Sequence, residues 1–140
     1  MNLRQAVVGI FIDKKSRVLI ASSPRDGGYK FPQWWIEDWE KEHEAIKREM
    51  KEELGVELCD SDIQRVGKVR YLFPEWTRHV YDGQEQVVYK IFYQENMLLQ
   101  PQDDELDKLY WVSPDDIQKF DTRHRAKAYQ EALNICGLFD

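Results

Sequence analysis

Residues 40–56 read EKEHEAIKREMKEELGV, a charged run with apolar side chains at Ile46, Met50 and Leu54. That i, i+4, i+8 spacing puts the three on one stripe of a helix, and Gly55 supplies a residue suited to end it in the left-handed conformation. A helix over 40–54 with one face against a core is expected. At about 100° per residue, Glu49, Glu52 and Glu53 fall within an arc of about 100° beside that stripe rather than opposite it. Carboxylates so crowded repel and raise one another's pKa unless a cation neutralises them. Hard divalent ions such as Mg²⁺ take oxygen ligands and keep waters and substrate phosphates in the remaining positions. The competing reading is a solvated face laced by i, i+4 pairs with Lys41, Lys47, Arg48 and Lys51.

On either side of this helix the pattern changes. Apolar runs rich in β-branched and aromatic residues at 6–12, 18–22, 66–72, 87–93 and 109–112 read as strands. Asp13-Lys14-Lys15-Ser16 has turn chemistry, so 6–22 is expected to be a hairpin, and 24–28 (PRDGG) a loop. Ser113-Pro114-Asp115-Asp116 has the composition of a helix start. Thr122 is expected to cap a further helix that presents Ala126, Tyr129, Leu133 and Cys136 on one face and ends at Gly137. Mixed elements of this kind predict an α+β layered domain.

The 140 residues fit one domain, 1–140, and 42% apolar with 13% aromatic content is enough for a core. Charged residues make up 33% and mean hydropathy is −0.69, which excludes a membrane-spanning reading along with disorder. Met1-Asn2-Leu3-Arg4-Gln5 leads into a strand-like pattern with no cleavable signal, so a cytoplasmic location is expected. Cys59 and Cys136 lack any CxxC spacing and read as two small buried thiols. A net charge of −6 argues against a broad grip on duplex nucleic acid but is compatible with an anionic substrate held through metal ions.

The spacing inside the charged helix is more specific than its composition. Glu40, seven residues, then Arg48-Glu49-Met50-Lys51-Glu52-Glu53-Leu54-Gly55-Val56 matches the signature of the Nudix hydrolases, G-x5-E-x7-R-E-U-x-E-E-x-G-U, where U is a bulky aliphatic residue. A chance match to six fixed letters in a chain of this size is on the order of one in ten thousand. Phe31-Pro32-Gln33, Gly83-Gln84-Glu85-Gln86, and Asp104-Glu105-Leu106 followed by Tyr110-Trp111-Val112-Ser113 resemble, in order, the bacterial RNA pyrophosphohydrolase and dinucleoside polyphosphate hydrolase branch. The resemblance implies a Nudix α/β/α sandwich with a mixed β-sheet between helices. The implied activity is attack of water on a phosphoanhydride of a dinucleoside polyphosphate, such as diadenosine tetraphosphate, or of a 5′-triphosphorylated RNA end.

The same resemblance implies roles. Glu49, Glu52 and Glu53, with the backbone carbonyl of Gln33, would hold Mg²⁺ or Mn²⁺, and the side chain at 33 would matter little. Arg48 would orient the cluster. Glu49, Glu53, Arg48 and the distal Glu105 would be catalytic, Glu105 as metal ligand or general base, against the alternative of a solvated charge in the acidic loop 103–105. Glu40 and Gly55 would be structural. Toward the substrate, Arg25, Lys30, Arg70 and Arg78 are candidates for phosphate contacts, with ordinary surface charge as the alternative; Tyr81 and Gln86 complete the expected substrate-binding set. Tyr71, Phe73, Tyr81 and Tyr89 are candidates for base stacking, with a core role as the alternative. A long RNA would need a basic strip, for which Lys68, Arg70, Arg78 and His79 are available.

One departure is sharp: the box glycine is Trp34, its neighbour is Trp35, and the glycine expected before Glu40 is Trp39. Glycine allows positive φ and close backbone approach, and tryptophan forfeits both. Bulk from Trp34 or Trp35 is expected in the space for phosphate and metal, and Trp39 is expected to pack on the helix. The alternative function is an impaired Nudix domain that binds a nucleotide or protein through an exposed Trp34/Trp35/Trp39 patch, as monomer or homodimer.

Overall fold

The computed structural model describes residues 1–139. Strand β1 (Leu3–Ile12) is buried on both faces from residue 6 to 11, which is why that run is continuously apolar rather than alternating. Its two faces feed separate cores. Val7 and Phe11 join Ala45, Ile46, Met50 and Leu54 of α1 (Glu42–Leu54). Val8 and Ile10 meet Ala128, Tyr129, Ala132 and Leu133 of α2 (Ala126–Ile135). A mixed sheet therefore lies between two helices, as the sequence implies.

The other strands are β2 (Val18–Ser22), β3 (Tyr29–Lys30), β4 (Gln33–Trp35), β5 (Ile63–Leu72), β6 (Gly83–Phe92) and β7 (Leu109–Val112). They run in the order β3-β2-β1-β6-β5, with β4 added to β1 and β7 to β2. Among the described residues only β1 and β6 pair in parallel; the remaining pairs are antiparallel. The β1–β2 hairpin forms around Asp13, whose carboxylate accepts from the backbone N–H groups of Lys15 and Arg17 at 3.0 and 2.8 Å. Beyond it the strands part, and Ala6, Val7 and Val8 pair instead with Trp35, Trp34 and Gln33.

Helix α1 begins two residues later than its charge pattern implies. The Glu40 carboxylate is committed elsewhere, accepting from the Glu37 backbone N–H at 2.8 Å and from Arg48, while the Lys41 N–H donates to Glu44 at 3.0 Å as the helix opens. Gly55 ends it at φ 69°. Near the C-terminus a 3-10 turn covers Pro114–Lys119, and a second, Arg123–Arg125, leads into α2. Ser113 and Thr122 precede these turns as expected, without a side-chain capping bond. Tyr129, Leu133 and Cys136 share the buried face of α2, but Ala126 is exposed and Ala128 and Ala132 take its place. Burial pushes the Cys136 thiol up to about 11. Cys59 is exposed, contrary to expectation, because it precedes the surface turn Asp60–Asp62, where its N–H donates to Asp62.

Gly83 opens β6 against the backbone of β5. A Cβ there would lie 2.1 Å from the Tyr71 carbonyl oxygen and 2.8 Å from the Leu72 Cα. Neither atom can move without breaking the ladder, so Gly83→Ala is expected to destabilise the fold by about 3 kcal/mol. An unchanged urea midpoint in that variant would contradict this packing.

Candidate active site

Glu49 and Glu53 lie on the side of α1 turned to the sheet, and both are buried. One carboxylate oxygen of each, Oε2, meets no hydrogen-bond partner. Burial pushes Glu49 up to about 7, against the pull of Arg48, and burial together with the adjacent Glu105 carboxylate pushes Glu53 up as well. Glu53, Asp103 and Glu105 each offer a carboxylate oxygen, and the three atoms lie within 4.8 Å of one another. Three hard oxygen donors within reach of one another and buried orphan oxygens on Glu49 and Glu53 suit a divalent cation such as Mg²⁺, so the residues fit a metal.

Arg48 organises the outer side of this cluster. Its guanidinium donates to Glu40 at 2.7 and 2.9 Å, to Glu52 at 3.1 Å, to Glu49, and to the Trp35 carbonyl at 3.2 Å. It thereby ties α1 to β4. The side chain of Glu52 is 58% exposed.

Glu105 is 1% exposed and carries two cations. Lys30, itself buried on β3, donates to it and also to Asp26 at 2.7 Å. Arg25 Nη2 lies 2.7 Å from Glu105 Oε2, with its guanidinium 4.9 Å from the centre of the Trp34 ring. The solvated-charge alternative for Glu105 is thus excluded.

Next to these cations opens a cavity of about 840 Å³. Lys30, Gln33, Tyr71 and Gln84 line it from the strands, Arg25 and Asp26 from the 24–28 loop. Trp34 and Trp35 form one aromatic wall, ring centres 4.8 Å apart. Tyr71, Phe73 and His124 form a second cluster, with Trp76 beside it. Arg123 and Arg125 add positive charge. Arg123 holds φ at 59°, one of two non-glycine residues with positive φ among the described residues.

A buried carboxylate cluster on a helix, closed by a distal glutamate and facing a cationic cavity, is accompanied by a match of residues 2–132 to the NUDIX domain model. The chain belongs to the Nudix family. It is 29% identical over 145 residues to the nucleoside triphosphatase NudI of Klebsiella pneumoniae, a match spanning 96% of this chain and 97% of that protein. Among solved structures it resembles a MutT Nudix hydrolase from Burkholderia pseudomallei, with TM-score 0.75 and 18% identity over 95% of this chain and 99% of the other. It also resembles the C. elegans Ap4A hydrolase, with TM-score 0.64 and 13% identity over 92% and 95%. The two structural likenesses carry the fold.

Within this Nudix site several expectations need correction. Arg70, Arg78, Tyr81 and Gln86 do not line the cavity. Arg70 is an exposed residue of β5, on the opposite strand face from Tyr71. Arg78 donates to the Phe73 carbonyl at 2.9 Å; Tyr81 lies under Arg4, and Gln86 is buried against Gln84. Tyr89 packs in the core beside α1, whereas Tyr71 and Phe73 do reach the cavity. Lys30 is fully engaged with carboxylates rather than free for phosphate. The side chain of Gln33 matters after all: its Nε2 donates to the Tyr71 hydroxyl at 3.0 Å, and its Oε1 accepts from Tyr129. Its carbonyl is directed away from β1, since the flanking bonds Gly9 N–H to Pro32 and Ile36 N–H to Gln5 make Val8 and Gln33 a non-hydrogen-bonded pair.

The tryptophans divide. Trp34 and Trp35 are extended residues of β4, and none of residues 34, 35 and 39 has positive φ, so the glycine conformation is not required there. The rings of Trp34 and Trp35 line the cavity, which none of the carboxylates Glu49, Glu53, Asp103 and Glu105 borders, rather than the expected space for metal. Trp39 is 80% exposed instead of packing on α1, so the three do not form one patch. Asp103, Gln84, Arg123 and Arg125 were missed as site residues. The spacing of Asp103 from Glu105 was a usable signal for the first, and nothing local marks the arginines.

Proposed function

We propose that the chain is a divalent-metal-dependent pyrophosphohydrolase of small nucleotides, with a nucleoside 5′-triphosphate as first substrate and a dinucleoside polyphosphate as second. The observation that carries this is the group of carboxylate oxygens from Glu53, Asp103 and Glu105, with the orphan oxygens of Glu49 and Glu53. These residues and the Gln33 carbonyl would hold Mg²⁺ or Mn²⁺. When bound, such an ion neutralises phosphate charge and makes water more acidic at the site. Arg48 holds the Glu49 carboxylate and pairs with the exposed Glu52 on the outer side of the cluster, and Arg25 sets a positive charge between the carboxylates and the cavity. Glu105 is placed to hold the ion or accept a proton. The oxygen of water attacks phosphorus, the bridging P–O bond breaks, and the departing phosphate takes the electron pair.

The full-length similarity to a nucleoside triphosphatase favours the mononucleotide. The dinucleoside polyphosphate reading keeps the motif resemblance and the size of the cavity in its favour. A 5′-triphosphorylated RNA end is disfavoured, since Arg70 and Arg78 lie outside the cavity and the net charge is −6.

Hydrolysis of GTP, ATP, diadenosine tetraphosphate and a 5′-triphosphorylated oligonucleotide, each with Mg²⁺, Mn²⁺ or chelator, tests the proposal. Metal-dependent turnover of the nucleoside triphosphates, slower on the oligonucleotide, is expected. Nucleotide binding without turnover in any metal would replace it with a nucleotide-binding role.

A further inference from the structure

A chain of hydrogen bonds under the cavity has a fixed direction. The Phe31 backbone N–H can only donate, and it donates to the Tyr129 hydroxyl at 3.2 Å. With that lone pair taken, the Tyr129 proton goes to Gln33 Oε1. The Gln33 amide must then turn its Nε2 to the Tyr71 hydroxyl, 3.0 Å away, and Tyr71 passes its own proton to Gln84 Oε1 at 2.9 Å. Gln86 Nε2 donates to the same oxygen at 3.2 Å. Reversing the chain would leave the fully buried Tyr129 hydroxyl with a proton and nowhere to place it. The orientation of the Gln84 amide, ordinarily ambiguous, is settled by these partners.

The consequence falls on the cavity. Gln84 is 7% exposed and lines it. Its oxygen is used twice from below, and its amide nitrogen has no protein partner among the described residues. Arg125, also lining the cavity and almost fully buried, has an Nε that meets no acceptor. Both of these unmatched atoms are donors, on residues that line the cavity together with the Trp34/Trp35 wall and the Tyr71/Phe73/His124 cluster.

We infer that this cavity is a nucleobase pocket in which Gln84 reads a base edge made of acceptors, so that guanine or hypoxanthine is preferred over adenine. Guanine shows N7 and O6, both acceptors, side by side, whereas adenine puts the 6-amino donor next to N7 and would face Gln84 donor to donor. The aromatic walls supply stacking common to every base. Gln86, Tyr71, Gln33 and Tyr129 act through Gln84 and are positioning residues. This selectivity rests on the nucleotide-hydrolase reading for its substrate class, but its test is a binding test.

Non-hydrolysable α,β-methylene analogues of GTP and ATP are titrated with Mg²⁺ present, following tryptophan fluorescence, since Trp34, Trp35 and Trp76 line the cavity. The guanine analogue is expected to bind roughly tenfold more tightly, the scale of a good amide-to-base contact. In Gln84→Glu the oxygen accepting from Tyr71 and Gln86 is retained and the free donor becomes an acceptor, so preference should shift to adenine. Equal affinities in the unsubstituted protein, a preference unchanged in Gln84→Glu, or no quenching by either analogue would each overturn base reading by Gln84. Selective binding with no hydrolysis would sink the hydrolase proposal alone. Hydrolysis with no base preference would sink base reading alone.

Discussion

Glu53→Gln is expected to lower metal-dependent nucleotide turnover by about 10²- to 10³-fold, the usual consequence of removing one element of charge stabilisation from a reacting centre. Glu53 is the residue common to the buried pair on α1 and to the three-carboxylate group with Asp103 and Glu105. The substitution keeps its shape and removes its charge. Nucleotide quenching of tryptophan fluorescence at saturating analogue should survive, because Glu53 does not line the cavity. Turnover within about threefold of the unsubstituted chain, read in a steady-state assay, would remove Glu53 from the machinery.

The second large effect is on stability. Glu49 titrates near 7 in the fold, raised by burial, against 4.5 as its ordinary value. A carboxyl with a raised folded pKa binds more protons folded than unfolded across that interval, so metal-free stability falls as pH rises from about 4.5 to about 7. The loss attributable to Glu49 is about 3 kcal/mol, and Glu53 adds to it in the same direction. In chelator the melting temperature should drop by roughly 10 °C between pH 5 and pH 8. Millimolar Mg²⁺ at pH 8 should recover much of that drop, since an ion that binds only the folded state stabilises by about 2.7 kcal/mol at a hundredfold excess over its Kd. A melting temperature flat in pH and indifferent to Mg²⁺ would mean that the carboxylates are neither strained nor ligands.

How much was legible in the sequence follows from the range of the signals. Helix α1 is legible through Ile46, Met50 and Leu54, with Gly55 closing it, because successive cues lie no more than four residues apart. The strands β2 and β7 were readable to the residue. Strands β3 and β4 were not: two and three residues are too short to show a period, and β4 exists only because β1 leaves its hairpin partner to pair with it. Trp34 and Trp35 stand where the motif expects glycine, and that strand pairing removes the backbone objection while leaving the steric one. Glu49, Glu53 and Arg48, grouped by their spacing, do come together in the structure. That spacing could not distinguish Glu52, which faces solvent, from Glu53 one residue on, nor say that Lys30 is spent on Glu105, 75 residues away in the chain.

The parallel pairing of β1 with β6 sets the order in which the molecule can be built. Leu3 lies beside Gly83 and Ile12 beside Phe92, with no closer segment of chain to take that edge. During synthesis one edge of β1 stays unpaired until some eighty further residues have left the ribosome, and the face carrying Val8 and Ile10 stays uncovered until α2 follows. So long a wait favours slow closure and leaves β1 open to wrong pairing and aggregation before β6 and α2 arrive.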